Sequence, residues 1–140
     1  MKPLYTTEAL ATGGGRDGHV DVAESDLAFD LAVPTAMGGT GAGANPEQLF
    51  AAGYSACFHS ALQAVARQQK VAIDGSSVGA RVTIGSEESG GSSRAGEPGV
   101  VRPGLDRDTA QALADAAHQV CPYSNATRGN IPVVVTVTDD

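Results

Sequence analysis

Asn45-Pro-Glu-Gln-Leu-Phe-Ala-Ala-Gly-Tyr-Ser-Ala-Cys57, running on to Lys70, reads as one long helix, and the reading of the fold starts there. Asn45 can cap it, Pro46 suits the first helical position, and Glu47 sits where the helix dipole favours an anion. Apolar and small residues follow (Leu49, Phe50, Ala52, Gly53, Ala56, Leu62, Val65, Ala66), and Arg67 to Lys70 close the run. A helix from Pro46 to about Arg67 would be roughly 30 Å long, enough to cross a small domain. In its middle lies Cys57, one of two cysteines in the chain.

A chain of 140 residues, 41% of them hydrophobic and 18% charged, is expected to be a single soluble domain over residues 1–140. Its formal charge of −7 disfavours nucleic acid as a partner. Met1-Lys-Pro-Leu-Tyr-Thr-Thr-Glu lacks the apolar core of a signal peptide. Glu47, Gln48, His59 and Gln63 argue against reading the long helix as a membrane span. The expectation is a cytoplasmic protein without membrane partners, in which two cysteines are seldom a structural staple.

Upstream of the helix, residues 4–12, His19 to Ala23 and Leu27 to Val33 read as three strands of an antiparallel meander, with a turn at Gly13-Gly14-Gly15-Arg16-Asp17-Gly18. Pro34 to Ala44 is a glycine-rich entry loop. Its glycines lack the full dinucleotide-binding spacing and no phosphate-binding lysine follows. Downstream, Val78 to Gly85 reads as a strand, and residues 86–99 make no demand for structure. Asp106 caps a second helix whose apolar face is Ala110, Leu113, Ala114, Ala117 and Val120, stopped by Pro122. Ile131 to Thr138 is a β-branched last strand. The sum is an α+β domain with sheet covering a central helix.

Cys57 and Cys121 are too far apart in sequence for a C-x-x-C motif, and His19, His59 and His118 share no metal-ligand spacing with them. No metal site is expected. One reading makes both cysteines buried small hydrophobes. Against it, Cys57 has Ser55, His59 and Ser60 nearby, and Cys121 opens Cys-Pro-Tyr-Ser-Asn-Ala-Thr-Arg-Gly-Asn at a helix end where mobility is expected. Neither sulfur gains from a helix dipole, so a thiolate needs a side-chain cation. Arg16 suits that task, because its fork can bind a carboxylate and a thiolate together. On this reading Cys57 attacks and Cys121 resolves. Glu47 and Cys57 are ten residues apart, roughly 15 Å along a straight helix. For both to serve one site, the helix must break at Gly53 or the site must combine two subunits. Small residues between Ala51 and Ala61 would allow close helix packing, so a dimer is expected.

At Asn45-Pro-Glu-Gln-Leu-Phe-Ala-Ala-Gly-Tyr-Ser-Ala-Cys-Phe and Val120-Cys-Pro-Tyr-Ser-Asn-Ala-Thr-Arg-Gly-Asn-Ile the chain resembles the organic hydroperoxide resistance (Ohr) branch of the Ohr/OsmC family. The resemblance also takes in Tyr5-Thr6, Gly14 to Gly18, Ala32-Val33-Pro34 and Pro103-Gly104-Leu105. It implies an OsmC-like fold: an interwoven homodimer with antiparallel sheets wrapped around central helices, and two sites at the subunit interface. It implies a thiol peroxidase with no bound cofactor, metal or haem. Carried onto this chain, Cys57 is the peroxidatic cysteine, Cys121 the resolving one, and Arg16 and Glu47 the activating pair. The implied substrates are alkyl and fatty-acid hydroperoxides. The implied external reductant is dihydrolipoamide or a lipoylated protein. Met37, Phe50, Tyr54 and Phe58 would line the substrate pocket and favour an alkyl peroxide.

Some positions depart from the family pattern. Gly13 adds a third glycine before Arg16, Ala44 stands where threonine is common, and Pro132 is unusual in a strand. Residues 92–102, Ser-Ser-Arg-Ala-Gly-Glu-Pro-Gly-Val-Val-Arg, replace an alternating apolar strand, so an irregular strand and a less stable fold are expected there. Two other functions fit the same chain, a non-catalytic carrier of apolar or oxidised lipids and a dithiol redox sensor. His59 and His118 read as helix-surface or satisfied core residues, and Arg128 as a turn anchor.

Overall fold

The computed structural model describes residues 2–86, 92–101 and 104–138. Its contacts group the chain into two compact units, Met1–Leu49 and Phe50–Asp140.

In the first unit, β1 (Ala9–Thr12), β2 (His19–Val22) and β3 (Ala28–Asp30) form the expected antiparallel meander. The register sets Thr12 opposite His19 and His19 opposite Asp30. The strands are shorter than the sequence suggests. Leu4 and Tyr5 precede β1 and are exposed, because local β-propensity forms a strand only where a ladder partner exists. Between β1 and β2 the chain makes a 3₁₀ turn, Gly15–Asp17, which Gly15 permits with φ of 66°. A second 3₁₀ turn, Thr35–Met37, lies in the glycine-rich loop. That loop returns to β3, where Ala44 N–H donates to the Asp30 carbonyl and Ala32 N–H to the Ala44 carbonyl. The long helix α1 (Pro46–Gln69) then begins with a reciprocal cap. Gln48 N–H donates to Asn45 Oδ1 at 3.0 Å and Asn45 N–H to Gln48 Oε1 at 3.1 Å.

The second unit holds the rest of α1, a second sheet and two more helices. In the sheet, β4 (Ser77–Ser86) pairs antiparallel with β5 (Ser92–Val101) along its whole length, and β6 (Thr136–Thr138) adds to β5 in parallel. The second sheet is therefore mixed, not wholly antiparallel. Tyr54, Phe58, Leu62, Val65 and Ala66 of α1 pack with Ala110, Leu113, Ala114 and Ala117 of α2 (Arg107–Val120), together with Ile73, Val100, Cys121 and Val137. The α1 positions recur at helical spacing, which aims one stripe at the core. Burying Phe58 and Leu62 contributes about 1.5–3 kcal/mol each. Asp106 caps α2 as expected, its side chain accepting from Thr109 N–H.

Three expectations change, and of the two alternatives left open at Gly53 the helix takes the unbroken one. The helix α1 does not break at Gly53, because the missing side chain is filled from outside. A Cβ there would stand 2.5 Å from Tyr123 Oη. Residues 92–101 form a continuous strand, since a backbone ladder with β4 needs no apolar alternation. Within it Pro98 stands opposite Ala80 of β4, and the pairing of β5 with β6 runs from Gly99 to Val101. The last strand is confined to Thr136–Thr138, the part that faces Gly99–Val101. Finally, the segment after Cys121 is a third helix, α3 (Pro122–Thr127), and Cys121 itself is fully buried. Proline stops α2 and also starts α3 at its first position.

Candidate active site

In the first unit, the turn before β2 presents Arg16 to the first turn of α1. Arg16 Nη1 donates to Glu47 Oε2 and Nη2 to Glu47 Oε1, each at 2.8 Å, a two-bond fork. Glu47 is 9% exposed. Its charge also sits at the favourable end of the α1 dipole. The hydrogen bond to Glu47 raises the Arg16 pKa further above its ordinary value. The turn is tied down beside the arginine, where Val33 N–H donates to Asp17 Oδ1 at 3.0 Å and Leu31 N–H to the Gly18 carbonyl at 2.8 Å. Met37 lies on the 3₁₀ turn of the entry loop and is exposed.

In the second unit, both cysteines are reduced, and their Sγ atoms lie 3.7 Å apart. Cys57 is half-buried and Cys121 wholly buried. Burial pushes the Cys57 thiol up, and the neighbouring Cys121 pushes the same way, while the backbone of Tyr123 pulls it down. A disulfide bond is about 2 Å long, so the sulfurs need to close by roughly 1.7 Å.

Three aromatic rings of the same unit, from α1 and α3, pack on one another. Tyr123 stacks on Tyr54 with centroids 5.6 Å apart, and Phe50 meets both rings edge-on at 5.9 and 5.6 Å. Phe50 is partly buried, whereas Tyr54 and Phe58 have no exposed surface. The sequence alone does not single out Tyr123. Its signal is Gly53, the one position in the middle of α1 without a side chain to block the ring.

Sequence reading also missed a buried polar chain. Tyr54 Oη lies 3.0 Å from Ser124 Oγ, and His118 Nδ1 lies 2.9 Å from the same oxygen. His118 is therefore satisfied, as expected, and burial lowers its pKa. His59 is also partnered, with Nε2 3.1 Å from Ser76 Oγ. Arg128 anchors the end of α3, donating to Asn125 Oδ1 at 2.9 Å and to the His118 carbonyl at 2.6 Å. Among the described residues no three of His, Cys, Asp and Glu come together as a metal would require. No helix among them is long and apolar enough to cross a membrane.

Residues 39–136 match the family model described as OsmC-like protein, a span that contains Glu47 and both cysteines. The chain belongs to the Ohr/OsmC family. Relatives place it on the Ohr branch. It is 49% identical to the organic hydroperoxide resistance protein of Xanthomonas axonopodis pv. citri, over 97% of this chain and 96% of that one. It is 47% identical to OhrB of Bacillus subtilis, over 93% and 95% of the two chains. The crystal structure of an organic hydroperoxide resistance protein from Elizabethkingia anophelis superimposes with a TM-score of 0.93, covering 100% of both chains at 50% identity. The α+β architecture, two small sheets and three helices, is thus the OsmC-like fold of Ohr proteins.

Proposed function

We propose that this Ohr/OsmC protein is a thiol peroxidase that reduces organic hydroperoxides to alcohols at Cys57. The observation that carries the reading is the pair of reduced sulfurs at 3.7 Å, in a chain whose relatives are named for organic hydroperoxide resistance. The Cys57 thiolate attacks one peroxide oxygen; an S–O bond forms, the O–O bond breaks, and the departing alkoxide takes a proton to become the alcohol. Cys121 then displaces water from the Cys57 sulfenic acid, giving the Cys57–Cys121 disulfide and guarding Cys57 against further oxidation. A lipoyl dithiol, free or on a lipoylated protein, returns both cysteines to thiols and is itself oxidised to a disulfide.

Burial holds the Cys57 thiol above its ordinary pKa within the single chain, so the nucleophile needs a cation. Arg16, fixed by Glu47, is the group suited to supply it. The unbroken α1 favours a site completed by two subunits, with the Arg16–Glu47 pair of one protomer serving the Cys57 of its partner. Exposed Leu4, Tyr5, Leu10 and Leu27 on or beside the β1–β3 meander support a homodimer, since a dimer would cover such apolar surface. Phe50 would meet the alkyl chain of the substrate, with Tyr54 and Phe58 packed behind it, and the exposed Met37 of the entry loop is the further apolar group proposed for substrate in the assembled dimer.

The test is consumption of an alkyl hydroperoxide and of hydrogen peroxide with dihydrolipoamide as reductant, beside Cys57→Ser. Turnover that favours the alkyl peroxide and vanishes in Cys57→Ser supports the peroxidase. A folded dimer without turnover sinks it and leaves the carrier or sensor.

A further inference from the structure

We propose that the Tyr54–Ser124–His118 hydrogen-bond chain is a positioning device that holds Cys121 in reach of Cys57. The inference rests on Cys121 being the resolving cysteine and adds three residues that touch neither sulfur's chemistry directly. Tyr54 stands one turn before Cys57 on α1, and Ser124 stands one turn after Cys121 on α3. His118 closes the end of α2. One serine hydroxyl, 3.0 Å from Tyr54 Oη and 2.9 Å from His118 Nδ1, therefore ties together the turns of the three helices that meet at the thiols.

The joint needs such a tie. Cys121 is at once the last cap of α2 and the first cap of α3, in an extended conformation with φ −64° and ψ 123°. Its side-chain direction follows the angle between the two helices. At six residues, α3 is far too short to hold itself, since helices below about 12–15 residues are marginal alone. What holds it is the packing of the Tyr123 ring on Phe50 and Tyr54 together with side-chain bonding, the serine hydroxyl inside and Arg128 to the His118 carbonyl outside. Tyr54 and Ser124 are 0% exposed, so water cannot replace the partner that either would lose. A serine hydroxyl has one proton and two lone pairs. With Nδ1 bare, Ser124 donates to neutral His118 and accepts from Tyr54, so both bonds of the serine hydroxyl form at once.

The test is the thiol–disulfide equilibrium of the full-length protein in buffers of reduced and oxidised dithiothreitol. In that exchange Cys57 and Cys121 lose two hydrogens to form their disulfide, and the dithiothreitol disulfide is reduced to two thiols. Tyr54→Phe and Ser124→Ala should each lower the equilibrium constant for the protein disulfide about tenfold, about 30 mV in potential. The double variant should fall no further than the worse single one, within about twofold, because both changes cut one shared bond. Loss of packing alone would lower the melting temperature and leave the thiol equilibrium of the folded protein in place. Tyr54→Phe keeps the ring and carries the test by itself if Ser124→Ala does not fold. Unchanged equilibrium constants, constants that rise, or effects of the two changes that multiply would overturn the proposal. The exchange needs no peroxide. A protein that consumes no hydroperoxide yet shows the shift would end the peroxidase reading and keep this one.

Discussion

Arg16 grips Glu47 through two parallel bonds of 2.8 Å, one to each carboxylate oxygen. A lysine can keep the charge but not the fork. Arg16→Lys should therefore lower kcat/KM for an alkyl hydroperoxide by roughly 10-fold to 100-fold, less than the roughly 100-fold to 1000-fold of deleting a preorganised donor outright, because the charge remains. Circular dichroism should be unchanged. Because the pair is proposed to serve the partner's thiol, inactive Arg16→Ala and Cys57→Ser proteins should regain activity when refolded together, one working site per mixed dimer. Continued inactivity of the mixture would return both groups to one subunit.

Gly53 leaves room for Tyr123, whose Oη would lie 2.5 Å and Cζ 3.1 Å from an added Cβ. Alanine ordinarily gains about 1 kcal/mol over glycine inside a helix. Here the ring is held between Phe50 and Tyr54, and overpacking costs about 1–3 kcal/mol. Gly53→Ala should lower the urea midpoint instead of raising it. In a Tyr123→Phe background the same change should cost less. A stabilised Gly53→Ala would show that Tyr123 is free to move.

Two histidines should give opposite pH signatures. His19 Nδ1 lies 2.8 Å from Asp30 Oδ1 and Nε2 3.5 Å from Asp21 Oδ1, and the hydrogen bond to Asp30 raises its pKa above 6.5. The protonated form is favoured in the folded protein, so its stabilisation is complete below the unfolded pKa. It is lost as pH rises through the folded one. Relative to His19→Gln, stability should fall over that range. Burial, and then the charge of Arg128, push the His118 pKa below 6.5. Its neutral form is favoured, so stability relative to His118→Gln should fall as pH drops from the unfolded pKa to the folded one. Urea midpoints from about pH 4 to pH 9 would read both slopes. Slopes of the same sign would contradict the assignment.

The sequence told most where local chemistry suffices. Asn45, Pro46 and Asp106 mark helix starts because capping involves residues a few positions apart. Alternation and a glycine turn likewise place the meander. It told least where distant residues decide. Pro122 reads as a stop, and it takes distant partners, Ser124 bonding to Tyr54 seventy positions away and Tyr123 packing on Phe50 and Tyr54, together with Arg128, to make α3 worth forming. Gly53 leaves a broken and an unbroken helix equally open until Tyr123 is seen against it. Residues 92–101 read as irregular because side-chain pattern was the guide, whereas the ladder with β4 is made by backbone. Among the candidate site residues, the arginine, the glutamate and the cysteines are legible as residue types in recognisable motifs. The polar chain behind Cys121 is not, because Ser124 and Tyr54 resemble any helix residues until three helices converge.

The most direct measurement is the intact mass of the reduced protein after one equivalent of an alkyl hydroperoxide. The wild-type protein should lose two hydrogens, with the bond mapping to Cys57 and Cys121. Cys121→Ser should gain one oxygen at Cys57, and Cys57→Ser should remain unchanged. Oxidation that starts at Cys121 in the Cys57→Ser protein, or a wild-type protein left unmodified, would contradict attack by Cys57.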